Sequence, residues 1–423
     1  MPAHVHDPVE VEHDQVMEPE QGSLGRPEQG RLRHSHPFPR PTRPAPYDAS
    51  MDVDAVVAPP SVAKPLRLAP FRALTLSPGR VGDPASARAF ARPYRAVAER
   101  LAGWQSRGHV SQDTAFGLYL HEYTVAGLSI RGLVGALDLS RRATRIEERA
   151  VWPHEGIHPG QVSELARRMA EMGMNPAPIL LVHDGTPQIR AVVDEVGSGE
   201  PGWDFTDQAG QHHRIWAIRD PGQLDRVNEG LAATDALVAD GHHRYAAYLA
   251  LQEERPGTPW DRGLAMLVDQ QDTPLFLGPI HRTLVGTPLA AVSAAAREAG
   301  ARVRELPQHE ALNALEPHTL VVTNGRSWAV LDLAGAPVEL ALGWLLDQLI
   351  PRLPTPPKRI DHHHSAEDAM SAASSKVTGV LLPATDYGQV RDIIGRGLLL
   401  PEKATSFQPK PSLGVLMRSV HDE

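Results

Sequence analysis

The sequence predicts an α/β or α+β fold built on a mixed sheet, and three observations carry that expectation. Short apolar runs alternate with stretches whose apolar residues recur at helical spacing. Gly- and Pro-containing dipeptides separate these runs at short intervals. Strand-like and helix-like segments are interleaved along the chain rather than collected into separate blocks.

Residues 1–63 read as a tail. They are rich in Pro, charge and His (His4, His6, His13, His34 and His36) and hold little apolar material to bury, so disorder is expected. Order is expected from Leu66-Arg67-Leu68-Ala69-Pro70-Phe71-Arg72. Ala115–Val125 and Ser129–Leu137 read as neighbouring strands, with Ala126-Gly127 at a hairpin turn. Val162, Leu165, Met169 and Met172 mark a helix between Pro159-Gly160 and Asn175-Pro176. Ile179–Val182 is a strand ended by Asp184-Gly185, and Ile215–Ile218 is a further short one. Ala246–Glu254 continues a helix up to Pro256-Gly257, and Gly263–Asp269 is a buried strand by composition. From about residue 286 a second α/β section follows. It holds a helix at Leu289–Ala299 and strands at Thr319–Thr323, Ser327–Leu333 and Val377–Leu382. Helices are expected around 338–350, 365–375 and Tyr387–Arg396, and a closing strand at Gly414–Met417. No internal repeat is visible.

With 423 residues the chain can build two domains or one elaborated domain. A net charge of -9 argues against a protein whose main work is gripping nucleic acid, which calls for a basic face. The absence of cysteine excludes disulfides, thiolate metal sites and a cysteine nucleophile. No run of 18 apolar residues occurs, and Met1–Asp7 lacks the basic start of a secretory signal. A soluble cytoplasmic protein with no membrane partner is therefore expected. The oligomeric state is not legible.

The most informative stretch is Leu237–Ala247, which reads as strand, tight turn and helix. The first turn of a helix exposes unpaired N–H groups and the positive end of the helix dipole. Arg244 and the imidazoles of His242 and His243 at that place make a candidate anion site, most simply for phosphate. Gly241 permits the sharp turn. Asp240 is placed to cap the helix, or to hold a metal ion or a hydroxyl. The plainer alternative is a capped turn with surface histidines.

Other stretches could serve the same site. In Pro153–Gly160 one carboxylate, Glu155, stands between His154 and His158 in a Gly- and Pro-rich loop. Glu155 is a candidate general base or metal ligand; a polar loop before a helix is the alternative. His281 and Arg282 could add cations for a phosphate chain, or form a structural pair at a strand end. In Pro401–Pro411, Lys403 and Lys410 suit phosphate as point charges, and Thr405 and Ser406 could donate hydrogen bonds. The alternative there is a solvated loop. Asp361-His362-His363-His364 suggests a metal, but consecutive histidines point in different directions. Ser365-Ala366-Glu367-Asp368 fits a capping box, so a helix start is favoured. No Walker, Rossmann, HExxH or GxSxG pattern occurs, so a nucleotide would have to sit at the Asp240–Arg244 turn.

Together these pieces resemble a widespread bacterial family known only as domain of unknown function 1015. The resemblance is carried by Pro70-Phe71-Arg72, Pro153-His154-Glu155, Asn175-Pro176-Ala177-Pro178-Ile179 and Ala239–Tyr245, and by Pro279-Ile280-His281-Arg282 and Pro401–Lys410. The central turn is also similar to that of the ParB and sulfiredoxin superfamily, which includes CTP-binding partition proteins, sulfiredoxin and free serine kinases. The resemblance implies a ParB/sulfiredoxin-like core over residues 64–285, completed by an α/β section over 286–423. It also implies that Asp240–Arg244 cradle phosphates. Two places depart from the family pattern. Arg95 stands where an aspartate is usual after Pro93-Tyr94, and Gly156-Ile157-His158 replaces a Lys-Thr loop.

These readings point to a nucleotide-dependent phosphotransferase acting on a small hydroxylated metabolite, serine-like by analogy. ATP or ADP is the expected nucleotide, with CTP a variant, and Mg²⁺ would be held by Asp240 or Glu155. Glu155, His242 and His243 are the candidate catalytic residues. Asp240, Gly241, His242, His243, Arg244, His281, Arg282, Lys403, Thr405, Ser406 and Lys410 are the candidate binding residues. Two other classes stay open. A ParB-type nucleotide-binding regulatory module would need a basic nucleic-acid domain, and none is evident. A metal-dependent hydrolase would be built on the histidines. The geometric expectation is that Glu155, His242, Arg244 and His281 line one pocket.

Overall fold

The computed structural model describes residues 56–84, 86, 97–333 and 339–421. Most of the tail with its five histidines, and the Pro93-Tyr94-Arg95 departure, lie outside the described residues.

The larger sheet has nine strands: β1 Leu68–Ala69, β2 Leu118–Val125, β3 Leu128–Asp138, β4 Val151–Trp152, β5 Ile179–His183, β6 Trp203–Thr206, β7 His212–Ile218, β8 Ala236–Asp240 and β9 Arg262–Asp269. Their order is β4-β8-β5-β9-β3-β2-β7-β6, with β1 joined to β3. β8 runs parallel to β4 and β5 parallel to β9; the other pairs are antiparallel, so the sheet is mixed. Ala126 and Gly127 close the β2–β3 hairpin with φ of 50° and 79°. Two successive positive φ values give a turn whose twist matches that of the strands.

Two helices frame the end of β8. Helix α1, Pro159–Met172, buries Val162, Ala166, Met169 and Met172 and stops at Gly173 in the left-handed region. Helix α2, His242–Glu254, packs against α1 and buries residues around most of its circumference, including Tyr245, Ala247, Tyr248 and Leu251. That makes it a core helix rather than a surface one.

Residues 56–63 correct the expected tail boundary. Val57 exchanges backbone hydrogen bonds with Ile157, and Val62 is buried with its N–H donating to the Tyr245 hydroxyl. Val62 belongs to the first core and Val57 packs against it.

The second sheet belongs to a separate lobe. Its strands are β10 His281–Val285, β11 Arg302–Glu305, β12 Thr319–Thr323, β13 Trp328–Asp332, β14 Arg359–His363 and β15 Val377–Leu381. The order is β11-β13-β12-β15-β10-β14, antiparallel throughout, with its own core around Leu284, Leu320, Leu331 and Leu345. The expected helix at 338–350 is α-helical only over Ala341–Trp344 and continues as a wider coil.

The lobe is shorter than the 286–423 section expected. After Leu382 the chain returns to the first core, where Val390, Ile393, Leu400, Phe407 and Met417 are buried. On the way, Thr405–Gln408 pairs with Phe276–Pro279. The closing strand lies at Met417–Ser419, slightly later than expected, and pairs with Ala73-Leu74 and Met174-Asn175.

Candidate functional site

The strand–turn–helix unit forms as its residues suggest. Gly241 has φ of 91°, and a Cβ there would lie 3.0 Å from the Arg244 guanidinium. Glycine therefore answers both the conformation and the close approach. No side chain caps α2. Among the described residues nothing accepts from the backbone N–H groups of His242, His243 or Arg244. The helix start is open to an anion.

Asp240 corrects the sequence reading. It neither caps the helix nor stands free for a metal. One carboxylate oxygen accepts from Arg244 Nη2 at 2.7 Å, and the other pairs with the Lys410 ammonium. Burial works against its charge, but Arg244 and Lys410 outweigh that and hold the carboxyl below its ordinary range. Arg244 also donates to the Pro178 carbonyl at 2.6 Å. It is thus a cross-link first and a ligand-facing cation second. Lys410 is delivered by a clamped loop: Tyr123 donates to the Pro409 carbonyl and Gln211 to the Lys410 carbonyl.

The histidines at the turn are also not the cations expected. His242 Nε2 accepts from the backbone N–H of His154 at 3.3 Å, and His243 Nε2 accepts from that of His158 at 3.1 Å. Each must then carry its proton on Nδ1. Burial, then the neighbouring His154, His243, Lys403 and Lys410, hold the His242 pKa well below 6.5. Burial, then His158, lowers that of His243. Both are neutral acceptors that tie α2 to the Glu155 loop. His154 is likewise neutral, pushed down to about 4 by burial, and its Nε2 lies 3.1 Å from Thr405 Oγ1.

Glu155 sits beside them with its side chain 15% exposed. Burial pushes its carboxyl up to about 7, against the opposing charge of Lys403. A group in that range exchanges a proton near neutral pH. The departure that follows it has a structural account. Ile157 is held by Val57, and a Cβ on Gly156 would strike Val56. His158 stacks on His243 and lies 2.8 Å from Glu402 Oε1.

One cavity of about 500 Å³ collects most of these groups: Glu155, Asp240, Gly241, His242, His243, Arg244, Lys403, Thr405, Ser406 and Lys410 all line it. Lys403 is exposed, with φ of 56°, and no hydrogen bond or ion pair among the described residues engages its ammonium. The Thr405 and Ser406 hydroxyls have partners, in His154 and Gln408.

His281 and Arg282 do not line the cavity. His281 is buried, and its Nδ1 accepts from the Leu382 N–H at 3.0 Å. Arg282 is buried and spends its guanidinium on the carbonyls of Ile280, Glu402 and Lys403. It supports the loop that carries Lys403, and burial pushes its pKa down to about 10. The two are adjacent on β10 and so point to opposite faces, and both are buried.

The structure adds lining residues that the sequence reading did not place here: Leu165, Ile280, His362 and His364. His362 lies on β14 and His364 directly follows its last residue. The helix start favoured after them is present, with Ser365 accepting from the Asp368 N–H. Among the described residues no group of three or more His, Asp or Glu side chains could hold a metal ion. No helix among them is long and apolar enough to cross a membrane.

Residues 49–349 match the family described as "Protein of unknown function (DUF1015)". The chain belongs to this family. No curated protein matches its sequence. Among solved structures it is similar to SbnI with a C-terminal truncation from Staphylococcus aureus, at 12% identity and a TM-score of 0.39. That likeness covers 67% of this chain and 87% of the other. A free serine kinase variant in complex with ADP is similar at 14% identity and a TM-score of 0.36, over 67% and 92% of the two chains. A conserved hypothetical protein from Pyrococcus furiosus gives 14% and 0.36, over 69% and 96%. No residue role is carried across from these likenesses.

Proposed function

We propose that this DUF1015 member is a nucleotide-dependent phosphotransferase acting on a small hydroxylated metabolite. The supporting observation is a convergence. The open start of α2, the unengaged Lys403 and the buried Glu155 share one cavity of about 500 Å³. Sites for small molecules and cofactors run from about 300 to 1,000 Å³.

Phosphoryl transfer needs positioning and charge neutralisation more than covalent chemistry. The N–H groups of His242, His243 and Arg244 take phosphate oxygens, and Lys403 adds a full positive charge. The acceptor hydroxyl oxygen attacks the terminal phosphorus of ATP. The bond from that phosphorus to the bridging oxygen breaks, and ADP leaves with its electron pair. Glu155 takes the hydroxyl proton; a carboxyl at about 7 both receives and releases a proton near neutrality. The neutral His242 and His243 hold the Glu155 loop and α2 in register. Serine is the acceptor to test first, following the resemblance of the Asp240–Tyr245 turn.

The expected Mg²⁺ ligands need revision. Asp240 is consumed by Arg244 and Lys410, Glu402 pairs with His158, and Glu155 is already assigned to the proton. The residues therefore fit an ion carried in on the phosphates and water, not a resident metal. Such an ion would add charge neutralisation between the phosphates.

Calorimetry and thermal shift with ATP, ADP and CTP, with and without Mg²⁺, test the proposal. One nucleotide should bind saturably to the wild type and more weakly to Lys403→Ala. Absence of saturable binding by every ribonucleotide would overturn it.

A further inference from the structure

We propose that the second lobe gives this cavity its own anion-binding wall, formed by His362 and His364, which holds a carboxylate or phosphate group of the acceptor. The inference rests on reading the start of α2 as the nucleotide end. It makes the acceptor itself an anion.

β14 is an edge strand, paired only with β10. His363 faces away from the cavity's two histidines and meets Thr283, its Nε2 lying 3.1 Å from Oγ1. His362 on the strand and His364 just past its end both line the cavity. Both are exposed, and no hydrogen bond or ion pair among the described residues engages either ring. This separates them from His154, His242, His243 and His281, each of which has one ring nitrogen in a hydrogen bond.

The field at these rings is positive on balance, with Asp361 opposing it at His362. Arg282 and Lys403 act on both, and Lys410 acts on His364. The neighbouring carboxylate, Asp361, gives both oxygens to Arg359. A cation placed here would be repelled. An anion would find unengaged imidazole N–H donors and a positive surround. Burial and those cations keep the empty rings neutral, so a bound anion should draw a proton onto them.

The cavity then has two anion-binding ends on two lobes, with Glu155 on the first. A hydroxyl compound anchored by its own anionic group at the second end would present its hydroxyl toward the first.

The test follows the imidazole resonances of the full chain by NMR across pH. Malonate and inorganic phosphate serve as separate probes, each with and without ADP. Either probe should raise the pKa of His362 and His364 by roughly 0.5–1 unit. The probe effective at the lower concentration identifies the anion class. In the His362→Gln, His364→Gln double variant, probe binding should weaken at least tenfold while ADP affinity holds. Both rings are exposed, so these changes should leave the fold intact. If neither probe moves the two titrations while ADP binds, the second wall is wrong and the nucleotide reading stands. If the probes move them but no nucleotide binds, the nucleotide reading fails and the anion wall stands.

Discussion

The first lobe and the second lobe both bring histidines to the cavity, but they hold them differently. On the first lobe each imidazole is tied down: His242 to His154, His243 to His158, and His154 to Thr405. The charges there are also spent locally, with Asp240 between Arg244 and Lys410. On the second lobe His362 and His364 line the cavity with no hydrogen bond or ion pair to their rings among the described residues. The difference teaches that conspicuous residues need not be the ones that face a ligand. The histidine–arginine turn is first a scaffold that sets the shape of the helix start. The groups left over for chemistry are backbone N–H groups, Lys403 and Glu155.

Substitutions can break this comparison, and the largest effect should come from a supporting residue. Arg282→Ala strands the carbonyls of Ile280, Glu402 and Lys403 in a buried setting. It should cost roughly 3 kcal/mol or more, read by denaturant unfolding. Its neighbour in space, Lys403, should behave oppositely, with stability unchanged on truncation.

Glu155 comes next. Its folded pKa, about 7, is raised above the ordinary 4.5, so its contribution is fully present below about pH 4.5. Stability then falls as pH rises through 7, because the folded state must ionise a buried group. That shift corresponds to about 3 kcal/mol at most. Glu155→Gln should flatten the stability curve between pH 4.5 and 7 and raise stability at pH 8. It should also slow phosphoryl transfer by about 10²–10⁴-fold. A variant with an unchanged pH curve would show that Glu155 is not buried in solution.

Lys403→Ala should weaken nucleotide affinity by about 10- to 100-fold, the worth of one charge-assisted contact, with an unchanged unfolding midpoint. Gly241→Ala forces a Cβ into the left-handed region beside Arg244. It should cost about 1–2 kcal/mol, with nucleotide binding reduced in step. The smallest effect belongs to the second lobe. Ser365→Ala removes the cap that begins the helix after the histidine run, for about 1 kcal/mol. If that change altered the cavity as strongly as Gly241→Ala, the contrast between the walls would fail.

Much of the architecture was legible in local pattern. The β2–β3 hairpin follows from Ala126-Gly127, and α1 follows from its apolar spacing and its Pro159 and Gly173 boundaries. Among the helices that went unread are two whose signals were present. Pro187–Gly197 begins after Thr186, and Pro221–Ala232 after Asp220; in both a capping side chain precedes proline at the first helical position. The strand β14 was harder, because Arg359–His363 holds few apolar residues and lies at an edge. Its histidines were weighed as a metal site or a helix start, and their wall position depends on pairing with β10.

The amino-acid order by itself determined the strand–glycine–helix unit at 236–254, because every interaction that specifies it is local: a β-rich run, one residue free to take positive φ, and a helix-forming stretch. It also brought Glu155, Lys403 and Lys410 forward as companions of that turn. Only the tertiary structure decided what each charge does. Asp240 meets Lys410 across 170 residues of chain, and Arg282 reaches the Lys403 carbonyl across 121. Whether an imidazole is neutral, or a cation is already spent, depends on burial and on such distant partners, and no local pattern encodes either.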